Sequence, residues 1–147
     1  MAAIGELWPP ALYPNAKLED VRCHFFPVCD QGHWFMIIVR KVGESWVVEF
    51  FSSLPGYEKI IQSAWNLLTN YLHLASNGSF DLRHTAVSPL RYQPMQDNGN
   101  DCGVFVLGAV RQELIGRKLE ELVPSSIPAF RKRIIFELQR WNKIAQP

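Results

Sequence analysis

Gln96-Asp97-Asn98-Gly99-Asn100-Asp101-Cys102-Gly103 runs straight into Val104-Phe105-Val106-Leu107. A polar, glycine-bearing turn meets an apolar segment that reads as a buried helix, with a cysteine at the junction. The positive end of a helix dipole stabilises a thiolate at such a position. Asn100 or Asp101 fits the capping position. Gly99 and Gly103 let backbone approach whatever lies against the sulfur. A plainer reading also fits these residues taken alone: a capped core helix with an inert cysteine.

The helix is expected to run to about Ile115 and to stop at Gly116. Its first half is apolar almost all round, which places it deep in a core. Upstream, Phe80 to Val87 reads as a strand closed by Ser88-Pro89, with a loop over 91–100 leading to the cysteine. From Tyr57 to about Ala75, Ile60, Ile61, Ala64, Trp65, Leu68, Tyr71 and Leu72 follow the helical period, and Asn77-Gly78 ends the helix.

Before that helix lie two apolar runs, His33 to Arg40 and Ser45 to Ser52, interrupted by Lys41-Val42-Gly43-Glu44. This is a hairpin signal. A two-residue turn at Val42-Gly43 and a four-residue loop over 41–44 give the same register, pairing residue 40 with 45 and His33 with Ser52. Residues 20–28 read as a further strand with Pro27 near its end, followed by a turn at Cys29-Asp30-Gln31-Gly32. Residues 1–19 read as an irregular, proline-rich arm, tacked to the body by Trp8, Leu12 and Tyr13. Residues 20–147 form a single domain. Its last element is an amphipathic helix from about Ile127 to Ile144, with Phe130, Ile134, Leu138 and Trp141 on one side. Strands followed by helices give an α+β fold.

The composition narrows the function. In 147 residues, 48% are hydrophobic and the net charge is +1, so there is no electrostatic footprint for nucleic acid. No apolar run approaches the roughly 20 residues that span a bilayer, and the N-terminus lacks the pattern of a signal peptide. Cys23, Cys29 and Cys102 match no metal spacing, and their odd number favours a reducing, intracellular setting over a disulfide framework.

A cysteine nucleophile needs a base for its proton and donors for the oxyanion. His73 falls on an amphipathic helix, and His24 and His84 fall within strands, where structural roles are the default. His33 opens a strand directly after Gly32, where a side chain can reach a cleft.

Gly32-His33-Trp34, Phe51-Ser52-Ser53-Leu54-Pro55-Gly56 and Gln96 to Phe105 together resemble the ubiquitin-like-protein-specific cysteine proteases, the desumoylating and deneddylating enzymes. The resemblance spans roughly residues 20 to 144. It implies a papain-like architecture, a small sheet flanked by helices with the nucleophile at the head of a buried helix. It also implies Cys102 as nucleophile, His33 as general base and Gln96 as oxyanion donor beside the Cys102 N–H. Trp34 then forms a narrow channel for a Gly-Gly tail, and Gly99 and Asn100 lie along the substrate. Asp101 reads as helix-capping or structural. The implied partner is a ubiquitin-like modifier with its conjugates, in nucleus or cytoplasm, with no cofactor or metal.

Two features depart from the family pattern. Where the family has an aspartate that orients the histidine, this chain has Ser52; a neutral substitute in a serine protease costs ~10⁴ in turnover. Glu49 is the nearest acidic alternative, but it points to the opposite face of its strand. The family also carries a tryptophan-bearing helical segment before the first strand, which residues 1–19 are too short to supply. Two other functions use the same residues: a weakened pseudoenzyme that binds a modifier, and a thiol acyltransferase of the same fold.

Overall fold

The computed structural model describes residues 17–144, with side-chain surroundings through residue 140. A four-stranded sheet in the order β1-β2-β3-β4 carries the fold. Strands β1 (Cys23–Asp30) and β2 (His33–Val42) are joined by Gln31-Gly32, both at positive φ (49° and 75°). That is the pattern of a type I′ turn, whose twist matches the strands it joins. The expected four-residue turn therefore shrinks to its last two residues. Cys29 and Asp30 stay in the ladder opposite Trp34 and His33. Pro27 lies mid-strand rather than near the end, tolerated because β1 is an edge strand.

The register of the second hairpin is corrected by the structure. Strand β3 (Ser45–Ser52) pairs Ser45 with Val42 and Ser52 with Phe35, not with His33. Gly43 has a positive φ (60°) and starts a two-residue Gly43-Glu44 turn of type II′ pattern, so Val42 remains in the strand. The slip is two residues, which preserves side-chain parity. His33 and Ser52 still share a face, as diagonal neighbours rather than direct partners.

The strand expected over residues 80–87 is reduced to β4 (Val87–Pro89), parallel to β3. Ahead of it, local turns win. The Asp81 carboxylate accepts from the Arg83 backbone N–H (3.1 Å), and the Thr85 N–H donates to the Leu82 carbonyl (2.9 Å). Phe80 and Leu82 are still buried.

Strand β2 is apolar on both faces because both are covered. On one side Phe35, Ile37 and Val39 pack with Ile61, Trp65 and Leu72 of α1 (Glu58–Ala75). On the other, Met36 and Ile38 pack with Phe105, Val106 and Ala109 of α2 (Cys102–Leu114) and Ile127 of α3 (Ile127–Ile144). Each such fully buried side chain contributes about 1.5–3 kcal/mol. Gly108 makes room on α2, since a Cβ there would meet the Leu122 side chain at 2.7 Å.

The expectation that the first half of α2 is enclosed holds for one side only, since Leu107 is exposed. The helix lies along the sheet and turns its Leu107 face outward. Along α3, Phe130 and Ile134 are half-buried but Leu138 is 60% exposed, so the expected apolar side is seated only near the start of the helix. The Trp141 side chain lies outside the described residues, as do Trp8, Leu12 and Tyr13. Where the expected arm meets the domain, Leu18–Asp20 form a 3-10 turn, and Leu18 packs on the α1 side of the core. No described helix is long and apolar enough to cross a membrane.

Candidate active site

The Gln31-Gly32 turn delivers His33 as the first residue of the central strand β2. Its ring is 2% exposed and lies 4.2 Å, centroid to centroid, from the ring of Tyr57. Nε2 is 3.0 Å from the Ser52 hydroxyl oxygen. Ser52 has a single hydroxyl proton and gives it to the Leu54 carbonyl at 2.7 Å. The imidazole is therefore the donor in the His33–Ser52 contact. With the ring proton on Nε2, the other nitrogen, Nδ1, carries a free lone pair. Nδ1 is buried and has no hydrogen-bond partner in the protein. Burial pushes the His33 pKa down, which favours the neutral ring. The arrangement leaves a neutral imidazole with one basic nitrogen unengaged.

Gln96 and Cys102 come from one loop. The Gln96 backbone N–H donates to the Ser53 carbonyl (3.0 Å), anchoring the loop to the end of β3. The Gln96 side chain is buried; Oε1 accepts from the Ser53 hydroxyl at 2.6 Å, and Nε2 donates to the Asn98 carbonyl. One Nε2 proton is left over. Cys102 is the first residue of α2 and is 7% exposed.

The expected cap by Asn100 or Asp101 is not made; α2 has no side-chain cap. Asn98 takes the local donors instead, its Oδ1 accepting from the N–H groups of Asn100 (2.9 Å) and Asp101 (3.1 Å). The Asp101 carboxylate turns to Asn98 Nδ2 (2.7 Å) and to Arg131 of α3. These two partners, Asn98 foremost, hold its carboxyl below the usual range. The N–H groups at the head of α2 thus face no competing side-chain acceptor.

Trp34 is not core packing. It is 42% exposed, and its indole lies against Gly103, where a Cβ would sit 3.4 Å from its Cδ1. Trp34 follows His33 and Gly103 follows Cys102, so the contact brings the head of the histidine's strand to the head of the cysteine's helix. Gly99 and Asn100 are exposed on the loop, and the Asn100 carbonyl accepts from Arg131 (3.4 Å).

The remaining candidates lie elsewhere. Glu49 pairs with Arg40 at 3.0 Å on the other face of the sheet. His24 donates from Nε2 to the Leu18 carbonyl (2.9 Å), a structural role. His73 lies beside Asp81 at 3.5 Å. His84 is exposed in a turn rather than within a strand. Among the described residues, no group of three or more His, Cys, Asp or Glu side chains could hold a metal ion. Sequence reasoning missed Ser53, Tyr57, Gln93 and Arg131. Gln93 Oε1 accepts from the Ser52 N–H at 2.9 Å, and neither its spacing nor its type announces that contact.

Residues 7–142 match a family model described as the Ulp1 protease family, C-terminal catalytic domain. The chain belongs to this family. Comparison with curated proteins finds no match. Among solved structures, the C-terminal Ulp1 protease domain in complex with Smt3, the yeast ortholog of SUMO, aligns with a TM-score of 0.65 at 17% identity. That alignment covers 82% of this chain and 53% of that one. A de-sumoylating protease aligns with a TM-score of 0.51 at 21% identity, over 69% of this chain and 41% of that one. The likeness is one of fold, and it matches the α+β architecture expected from the sequence. The chain spans about half the length of the first of these structures.

Proposed function

We propose that the chain is a thiol protease or isopeptidase that cleaves after the Gly-Gly tail of a ubiquitin-like modifier, SUMO or a related protein. In the reaction, the Cys102 thiol gives its proton to His33 Nδ1 and the sulfur attacks the terminal glycine carbonyl. The oxyanion is met by the spare Gln96 Nε2 proton and the Cys102 N–H. The imidazolium returns the proton to the departing amine as the C–N bond breaks, leaving a thioester. Water then attacks the thioester, His33 takes its proton, and the modifier leaves as a carboxylate while the thiol is restored. The exposed indole of Trp34 forms a wall that admits glycine and excludes larger side chains, with Gly99 and Asn100 along the same approach. The unpartnered, buried Nδ1 of His33 carries this reading. Three free thiols, one of them exposed, fit a reducing site of action in nucleus or cytoplasm.

The test is covalent capture with modifier-vinyl-sulfone probes across a panel of modifiers. Capture of a SUMO-type probe through Cys102 is expected. Binding without capture would support the weakened-pseudoenzyme reading that Ser52 raises. Acetyl transfer from labelled coenzyme A would support an acyltransferase.

Ser52 sets a second expectation. Its hydroxyl orients the imidazole but lends no charge to an imidazolium. A cavity of about 160 Å³, lined by Ser52, Leu54, Tyr57 and Gln93 among others, gives a longer side chain room. Ser52→Asp is expected to hold or raise turnover, by up to about tenfold within the 10²–10⁴ that positioned acid–base catalysis contributes. A carboxylate at this position favours the imidazolium. The acid limb of the pH–rate profile, where the base must lose its proton, should therefore move to higher pH. A tenfold loss in steady-state cleavage would show that residue 52 does not orient His33.

A further inference from the structure

We infer that Ser53 is a positioning residue for the oxyanion donor, fixing which end of the Gln96 amide faces the reacting carbonyl. The inference rests on the proposed role of Gln96 and extends it.

The two ends of a glutamine amide are almost the same shape and opposite in polarity. Turned one way, Gln96 offers an N–H to a developing oxyanion. Turned the other way, it presents a carbonyl oxygen and repels it. A donor aimed at the oxyanion is worth about 10²–10³ in turnover, so the choice of face matters.

Two neighbours make that choice. The Asn98 carbonyl can only accept, so the end facing it must be Nε2. The opposite end is then Oε1, which needs a donor, and Ser53 Oγ supplies one at 2.6 Å. Ser53 is 0% exposed and Gln96 is buried, so bulk water does not reach this bond. Without the hydroxyl, Oε1 would be a buried acceptor with no partner and the amide would be held at one end only, by the Asn98 carbonyl, so the side chain loses its fixed pose. The Gln96 N–H to Ser53 carbonyl bond (3.0 Å) holds the loop in place whatever the amide does. The hydroxyl and the Asn98 carbonyl together thus govern orientation, and the backbone bond governs position.

Ser52 and Ser53 are adjacent at the end of β3. One hydroxyl holds the tautomer of the base and the next holds the face of the oxyanion donor. The two halves of the catalytic apparatus are therefore registered by one dipeptide.

The experiment is a double-mutant cycle on modifier-conjugate cleavage with Ser53→Ala, Gln96→Ala and the pair. Ser53→Ala is expected to lower kcat by roughly 10- to 100-fold, within the loss for Gln96→Ala, with KM changed less than twofold. On the Gln96→Ala background it should cost less than twofold. Alkylation of Cys102 by iodoacetamide passes through no oxyanion and should proceed at the wild-type rate. Equal losses on both backgrounds, a fall in alkylation parallel to kcat, or an unchanged kcat would each overturn the inference. If Ser53→Ala fails to fold, Ser53→Cys is close in size and a weaker donor; it should lower kcat alone, and only where Gln96 is present. Failure of the underlying reading is distinguishable: no conjugate cleavage by the wild type would sink the proposed function, and cleavage unchanged by Gln96→Ala would sink the role of Gln96.

Discussion

Cys102→Ala is expected to reduce cleavage of a modifier conjugate to background, a loss of roughly 10⁴-fold or more, the scale on which removal of a nucleophile silences a catalytic unit. The reason is covalent. Without sulfur no thioester forms, and neither His33 nor Gln96 supplies another nucleophile. The substitution is small, at a position 7% exposed at the head of α2, so the helix and the loop hydrogen bonds of Asn98 and Gln96 should persist. Binding of the modifier should then stay within about twofold, since ground-state contacts are kept. Single-turnover cleavage, a titration of modifier affinity and intact-mass detection of the thioester together check this. Residual turnover within tenfold of wild type would show that the nucleophile is elsewhere. Lost binding together with lost turnover would make Cys102 a packing residue.

His33→Ala is expected to cost 10²–10⁴ in kcat, the range for a positioned base. The ring is 2% exposed and packs beside Tyr57, so its removal also leaves a hole. His33→Gln separates the two effects. Its amide fills most of the space and retains a donor toward Ser52, but it has no basic nitrogen. Both variants should lose turnover alike, whereas thermal unfolding should distinguish them. The pH dependence of Cys102 alkylation adds a direct reading. Without an imidazole to take the thiol proton, alkylation near neutral pH should be slower than in the wild type. An unchanged alkylation profile in both variants would separate His33 from the sulfur.

The placement of much of the candidate site is legible in the sequence. His33 stands at a loop-to-strand junction, Cys102 at the head of a helix, and Gln96 six positions earlier in a polar turn. Each is placed by local signals, a turn pair or a helix start. The parity between His33 and Ser52 was also legible, because side-chain alternation survives any even slip of register. The register was not. Val42-Gly43 and Gly43-Glu44 are both plausible turns, and only the positive φ confined to Gly43 selects the second. The capping of α2 was misread for a related reason. Asn98 accepts from the Asn100 and Asp101 N–H groups ahead of the helix, while the Asp101 carboxylate is drawn away from the helix's own N–H groups by Asn98 Nδ2 and by Arg131, thirty residues away.

The sequence by itself determined most of the elements and their polarity: a hairpin with a turn ahead of it, a strand apolar on both faces, and a cysteine that opens a helix. These follow from periodicity and turn chemistry, which act over a few residues. The tertiary structure alone decided that Trp34 lies on Gly103, that Ser53 grips Gln96, and that the strand expected over 80–87 gives way to turns. Those outcomes depend on side chains that meet across elements, where shape and hydrogen-bond supply are settled by packing rather than by neighbours in the chain.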